Sequence, residues 1–233
     1  MAIDIKLESV IPWGRSLAEY TRMFDLTHED LGLQFLDCGG GPASFNAEMS
    51  AIGRPIVSCD PLYQYTPAEI AAQIQATHPL IMRAVFAHQE HFVWEEIPSP
   101  EYLDQLRLST MGRFLSDFKV GQGQGRYVAE ALPELPFADG AFDLALCSHL
   151  LFTYSEQLSL PFHLASVQEM CRVAHEVRVF PLIDVTGEPS TLVPPVVQHL
   201  QGQGYTVEIR QVPYEFQRGG NQMLCVRNGS REA

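Results

Sequence analysis

The chain has 233 residues, of which 46% are hydrophobic and 18% charged, and it carries a net charge of −13 at pH 7. That length suits one α/β domain with a full core rather than two, and the composition is that of a globular chain, not a disordered one. The acidity excludes polyanionic partners: phosphate backbones need clustered Lys and Arg, and no basic stripe is present, so neither nucleic acid nor an acidic membrane surface is expected.

Met1 to Ser9 lacks a basic region followed by an apolar one, so no signal peptide is expected, and no apolar run approaches membrane-spanning length. The five cysteines form an odd set without a Cys-x-x-Cys pair. They read as reduced thiols of a cytoplasmic protein, used as small buried hydrophobes. In residues 1–32, Ser16 is placed to cap a helix to about Phe24, with Leu17, Tyr20 and Phe24 on one face. Thr27 is placed to cap a turn and short helix over Asp25 to Leu31.

Leu33 to Ser44 then reads Leu-Gln-Phe-Leu-Asp-Cys-Gly-Gly-Gly-Pro-Ala-Ser. An apolar strand with Phe35 and Leu36 ends at Asp37, three glycines follow, and Pro42 opens a predicted helix to Ser50 closed by Gly53. This order begins a nucleotide-binding βαβ unit. A dinucleotide site asks for Gly-x-Gly-x-x-Gly or Ala; Gly39 and Gly41 fit, but the third position is Ser44, and Asp37 precedes the turn. A second buried strand, Pro55 to Asp60, ends in an acid about twenty residues after Gly39, the offset of a ribose-binding carboxylate. Asp60 therefore supports a nucleoside ligand without choosing which.

Residues 61–120 are too long for an ordinary crossover and read as a helical insertion over the strand ends. Helices are predicted from Pro67 to about Thr77, from Pro79 to Val93, and from Ser99 through Leu115. His88, Glu90, His91, Glu95 and Glu96 cluster there, but His-x-x-His is not a zincin spacing and no separate third ligand is marked, so a solvated helix face is expected and no metal. Gly121-Gln-Gly-Gln-Gly125 reads as a flexible loop before a third strand at about Arg126 to Ala129. Phe142 to Ser148 is a fourth strand, whose end places Ser148 and His149 at the ligand crevice of a doubly wound sheet. His149 is able to take a proton near neutral pH, or to hydrogen-bond backbone and shape the pocket. A helix over Leu160 to Ala174, a strand over Val177 to Ile183, a helix over Thr191 to Gln201, and two strands around Gly219-Gly220 complete the chain.

Two segments carry a family resemblance: Asp37-x-Gly39-x-Gly41 after an apolar strand, and Glu130-Ala-Leu-Pro-x-Leu-Pro-Phe137 leading into Asp-Gly-Ala-Phe-Asp143-Leu. They are similar to motif I and to the acidic-dipeptide and Pro-Phe segments of class I S-adenosylmethionine-dependent methyltransferases, in their small-molecule (type 11-like) branch. The resemblance spans about Leu31 to Arg227, least in the 61–120 insertion. It implies a doubly wound, mostly parallel seven-stranded α/β sheet whose last strand is antiparallel, within a single domain over 1–233. It implies S-adenosylmethionine as cofactor and a small-molecule methyl acceptor. Gly39 and Gly41 would let backbone approach the methionine portion, and Asp37 would organise that turn or meet the ammonium group. Glu130 and Ala131 would contact adenine, and Ser148 would lie beside the methionine. The leading helix would lie over the pocket as a lid, with Arg15 and Tyr20 near the cofactor carboxylate. The Lys-Pro-Gly-Gly turn common before the fifth strand is replaced by His175-Glu176. Two other readings stay open: an NAD(P)-dependent oxidoreductase, and a non-catalytic cofactor- or partner-binding protein on the same fold. Oligomeric state is not legible.

Overall fold

A computed structural model describes residues 10–228, so the signal-peptide expectation for Met1 to Ser9 lies outside the described residues, as does the start of the predicted lid. In chain order the elements are Leu17–Met23 (α1), Phe35–Cys38 (β1), Phe45–Ala51 (α2), Ile56–Cys59 (β2), Pro67–Ala87 (α3), Pro100–Gly123 (α4) and Tyr127–Val128 (β3). Phe142–Ser148 (β4), Leu160–Val173 (α5), Ala174–Phe180 (β5), Val193–Gly202 (α6), Thr206–Gln211 (β6) and Gln222–Arg227 (β7) follow.

The strands form one seven-stranded sheet in the order β3-β2-β1-β4-β5-β7-β6. Neighbours from β3 to β5 pair parallel, while β7 runs antiparallel to both β5 and β6. This is the mostly parallel, doubly wound sheet with an antiparallel last strand that the resemblance implies. Its strand order reverses between β1 and β4, which opens a crevice at their carboxyl ends.

Side chains alternate across a strand, and here both faces are covered. Phe35, Leu144, Leu146, Phe180 and Cys225 meet Tyr20, Met23 and Phe24 of the α1 region and Phe45 and Met49 of α2. Leu36, Ala145, Cys147, Val177 and Leu224 meet Val167 and Met170 of α5 and Val196 and Leu200 of α6. All five cysteines are buried free thiols; Cys38 sits in register between Cys59 and Cys147 on its two neighbours. No helix among the described residues is long and apolar enough to cross a membrane.

Local differences from the sequence reading have physical causes. The glycine-turn helix starts at Phe45, not Pro42, because Gly41 and Pro42 still belong to the turn. The two helices predicted on either side of Pro79 are one, α3. Ile70, Ile74, His78 and Met82 recur every four residues and keep one buried face through the proline, and that packing outweighs the missing hydrogen bond. Gly121 and Gly123 are the last turn of α4, not a loop; a Cβ on Gly121 would stand 2.4 Å from the Tyr127 ring, so glycine lets the helix end lie on β3. β5 starts at Ala174, directly after α5, and not at Val177. Glu176, expected in a turn, accepts from Arg178 (2.7 Å) and from Arg227 of β7 (2.8 Å), which ties the segment into the sheet.

The long segment after β2 packs α3 along α4 through Tyr63, Ile70, Ile74, Phe114 and Phe118. A second cluster, Met82, Val85, Phe92, Ile97 and Leu103, lies further along α3 and receives Trp13 and Phe216 from distant parts of the chain.

Candidate functional site

The turn after β1 has bare backbone because nothing larger fits. Gly39 and Gly41 have φ of +69° and +51°. A Cβ on Gly40 would meet the Asp37 carboxylate at 2.3 Å and the Tyr63 hydroxyl at 2.8 Å. Asp37 therefore lies beneath the turn and does not face outward. Its carboxyl accepts from Tyr20 Oη and Ser58 Oγ, each at 3.0 Å, while Tyr63 Oη donates to the Gly41 carbonyl at 2.9 Å. Burial pushes the Asp37 carboxyl up to about 7 against the pull of these two hydroxyls.

That position has a pH signature. Between about pH 4 and about pH 7 the unfolded chain loses this proton while the folded chain keeps it, so Asp37 makes stability fall as pH rises and contributes no slope above about pH 7. Asp37→Asn cannot titrate and is expected to gain stability relative to the parent across that window, read by urea unfolding at several pH values. A constant difference between variant and parent would show that Asp37 is ionised throughout.

Asp60 closes β2 and faces the same turn. Its Oδ2 accepts from Gly41 N at 2.9 Å and its Oδ1 from Leu62 N at 2.7 Å, which leaves lone pairs on both oxygens for hydroxyl donors. Burial raises its pKa, and these two backbone bonds oppose the rise.

The strap leading into α1 lies over the turn, with Ser44 N donating to the Arg15 carbonyl at 3.1 Å. Arg15 donates from Nη1 to the Trp13 carbonyl at 3.3 Å, but its buried Nε has no partner among the described residues. Burial and the nearby Arg107 both lower its pKa, so the guanidinium is a cation in need of an anion. α1 starts with a capping box between Ser16 and Glu19. Glu19 also takes both nitrogens of the fully buried Arg107 of α4 (2.8 and 2.6 Å) and the Tyr214 hydroxyl (3.1 Å).

At the end of β4, His149 has φ +53°, rare for a residue with a side chain, and donates its N–H to the Phe180 carbonyl at 2.7 Å. Its Nδ1 lies 2.9 Å from Ser148 Oγ. Burial, then Arg15 and Arg107, hold the imidazole well below its usual range, so it is neutral near pH 7 and keeps one ring nitrogen as a hydrogen-bond acceptor.

These groups meet in one cavity of about 810 Å³. Its lining brings together Arg15, Tyr20, Gly39, Gly41, Asp60, Ala131, Ser148 and His149. Two of the sequence candidates are not in the lining: Asp37, which is under the turn, and Glu130, which is exposed one residue before Ala131. Leu62 and Leu132, absent from the sequence reading, border the Asp60 end. Tyr63, Glu19, Arg107 and Tyr214 were also missed. Glu19 carried a capping-box signal, but nothing in the chain marks a contact spanning 88 or 195 residues.

The acidic and histidine cluster does not lie on a helix face: Gln89–His91 is a short 3-10 turn, where His88, Glu90 and His91 bring side-chain N and O atoms within 4.8 Å of one another and the Arg218 guanidinium bonds the Glu90 carbonyl.

No family model matches the chain. It is 30% identical over 226 residues to the uncharacterized protein MJ0045 of Methanocaldococcus jannaschii, covering 96% of this chain and 98% of that one. Among solved structures it is similar to magnesium protoporphyrin IX methyltransferase from Synechocystis PCC 6803 with bound SAM (11% identity, TM-score 0.45, 86% of this chain and 73% of that one). It is also similar to the PH0226 protein from Pyrococcus horikoshii OT3 (11% identity, TM-score 0.42, 85% and 82%).

Proposed function

We propose that this chain, which belongs to the same family as the uncharacterized protein MJ0045 of Methanocaldococcus jannaschii, binds S-adenosylmethionine in this cavity and transfers its methyl group to a small-molecule acceptor. One observation carries the reading: a bare glycine turn shares its cavity with an acceptor carboxylate, Asp60, and a guanidinium with an orphaned nitrogen, Arg15. A ligand with a ribose diol at one end and an amino-acid carboxylate at the other satisfies both. A dinucleotide pyrophosphate is served less well, since the third glycine position is Ser44 and the Asp37 carboxyl lies directly beneath Gly40.

In this reading Asp60 accepts from the ribose hydroxyls, and the Gly39 to Gly41 backbone borders the methionine portion over Asp37. Ala131 contacts adenine by its backbone, with Leu62 and Leu132 as apolar walls, and Glu130 adds its charge from outside. Arg15 and Tyr20 close the methionine end, beside Ser148. The bound cofactor supplies a methyl group already activated on a sulfonium, so most of the protein's task is alignment and exclusion of water. His149 is placed to shape the acceptor end and take a hydrogen bond from the acceptor at a ring nitrogen, with Ser148 fixing the other. Residues 10–32 act as the lid, and 61–120 as the cap, of one domain. Buried, unpaired thiols fit a cytoplasmic setting.

Arg15→Gln tests the assignment. S-adenosylhomocysteine should bind the variant about tenfold to 100-fold more weakly, the value of a charged hydrogen bond of roughly 1.5–3 kcal/mol. Methylthioadenosine, which lacks the amino-acid tail, should bind both proteins alike. Equal losses for the two ligands would remove Arg15 from the carboxylate site.

A further inference from the structure

The far half of the cavity has a chemistry that the cofactor does not use. The lining's charged groups, Asp60 and Arg15, belong to the end of β2 and the strap before α1; α3 and the β6–β7 connection line it with Leu80, Ile81, Ala84, Val85, Phe92 and Phe216, and with the uncharged amides of Gln73 and Gln217. The last two stack at 4.9 Å and 25°, because the segment after α3 is bonded to the β6–β7 connection by Val93 N to the Phe216 carbonyl (2.8 Å) and Arg218 N to the His91 carbonyl (2.9 Å). Trp13 adds a third ring from the strap, held by a stack on His78 at 5.1 Å and by the Arg107 guanidinium 5.8 Å from its ring centre.

Charge decides what this chamber takes. In a chain with 28 acidic and 15 basic residues, the cavity lining holds one carboxylate, Asp60, one guanidinium, Arg15, and no lysine among the described residues. Both charges are committed at the strand ends. A charged acceptor beside α3 would lose its water without gaining an opposite charge, at a cost of several kcal/mol, whereas a flat apolar molecule gains ring contacts and burial.

We infer that the acceptor is an uncharged, ring-bearing apolar small molecule, seated between the inner face of α3 and the Phe92–Phe216 pair. This rests on the methyl-transfer reading and narrows it: ammonium side chains of peptides, nucleotides and acyl carboxylates are excluded as acceptors.

The test is calorimetric titration of the full chain, with S-adenosylhomocysteine and then, at saturating S-adenosylhomocysteine, with three probes sharing one ring system: 2-naphthol, 2-naphthoate and 2-naphthylmethylammonium. The neutral probe should bind at least about tenfold more tightly than either charged one. Ala84→Trp, which fills the chamber, should weaken 2-naphthol at least about tenfold while S-adenosylhomocysteine affinity stays within about twofold. Leu80→Lys, at a position 55% exposed and so tolerant of charge, should weaken the neutral probe and strengthen 2-naphthoate. Charged probes binding as tightly as the neutral one, or 2-naphthol binding untouched by both substitutions, overturns the acceptor class while S-adenosylhomocysteine still binds. Failure of S-adenosylhomocysteine itself to bind the parent protein overturns the methyl-transfer reading instead.

Discussion

Asp60→Ala is expected to weaken S-adenosylhomocysteine binding about 100-fold. The carboxylate is held by Gly41 N and Leu62 N, so its direction is set before any ligand arrives. Each ribose hydroxyl would then donate to a charged oxygen, a bond worth roughly 1.5–3 kcal/mol, and losing both gives about 3 kcal/mol at the low end, or two decades in Kd. Asp60→Asn keeps one acceptor oxygen at a similar position and should lose about tenfold. Because Asp60 also anchors the turn, a melting curve accompanies each variant. An alanine variant that melts like the parent yet binds equally well would place the ribose elsewhere.

Glu19→Ala is expected to destabilise the fold by about 3–5 kcal/mol, the cost of leaving a buried charge without its partner. Arg107 is fully buried and gives both terminal nitrogens to Glu19, which also receives the Tyr214 hydroxyl and the Ser16 N–H. One carboxylate thereby joins α1, α4 and the connection after β6. Replacing both partners with apolar side chains, Glu19→Leu with Arg107→Met, should recover most of the loss, since the penalty comes from the orphaned charge rather than the missing attraction. Burial raises the Glu19 carboxyl, but the Arg107 charge and hydrogen bonds outweigh it and hold the group at about 2, below its ordinary 4.5. Its contribution is therefore complete above about pH 4.5 and is lost as pH falls toward about 2. Urea unfolding of the single and double variants across that range reads both effects. A single variant no less stable than the double would contradict the account.

What could be read from the chain follows the range of the interactions involved. β1, its glycine turn and Asp60 were legible because their logic is local: apolar run, sharp turn, acid at the next strand end. Ser16 opens its helix for an equally local reason, with a glutamate three residues on. Pro79 misled because propensity is a local rule, and the continuous buried face of α3 against α4 is not. Gly121 misled for the same reason, since the ring it accommodates belongs to Tyr127. At the site, Asp60 and Arg15 were nameable from position, but the burial of Asp37 beneath Gly40 was not, because three glycines and an acid read alike whichever way the carboxylate points. The apolar chamber was invisible: Trp13, Leu80, Phe92 and Phe216 come from four separate stretches of chain.

The most direct test of the central claim is calorimetric titration of the full chain with S-adenosylmethionine, S-adenosylhomocysteine and NAD. The account predicts micromolar binding of the two sulfur nucleosides, roughly −8 kcal/mol, and none of NAD. Binding of NAD in their place would contradict it.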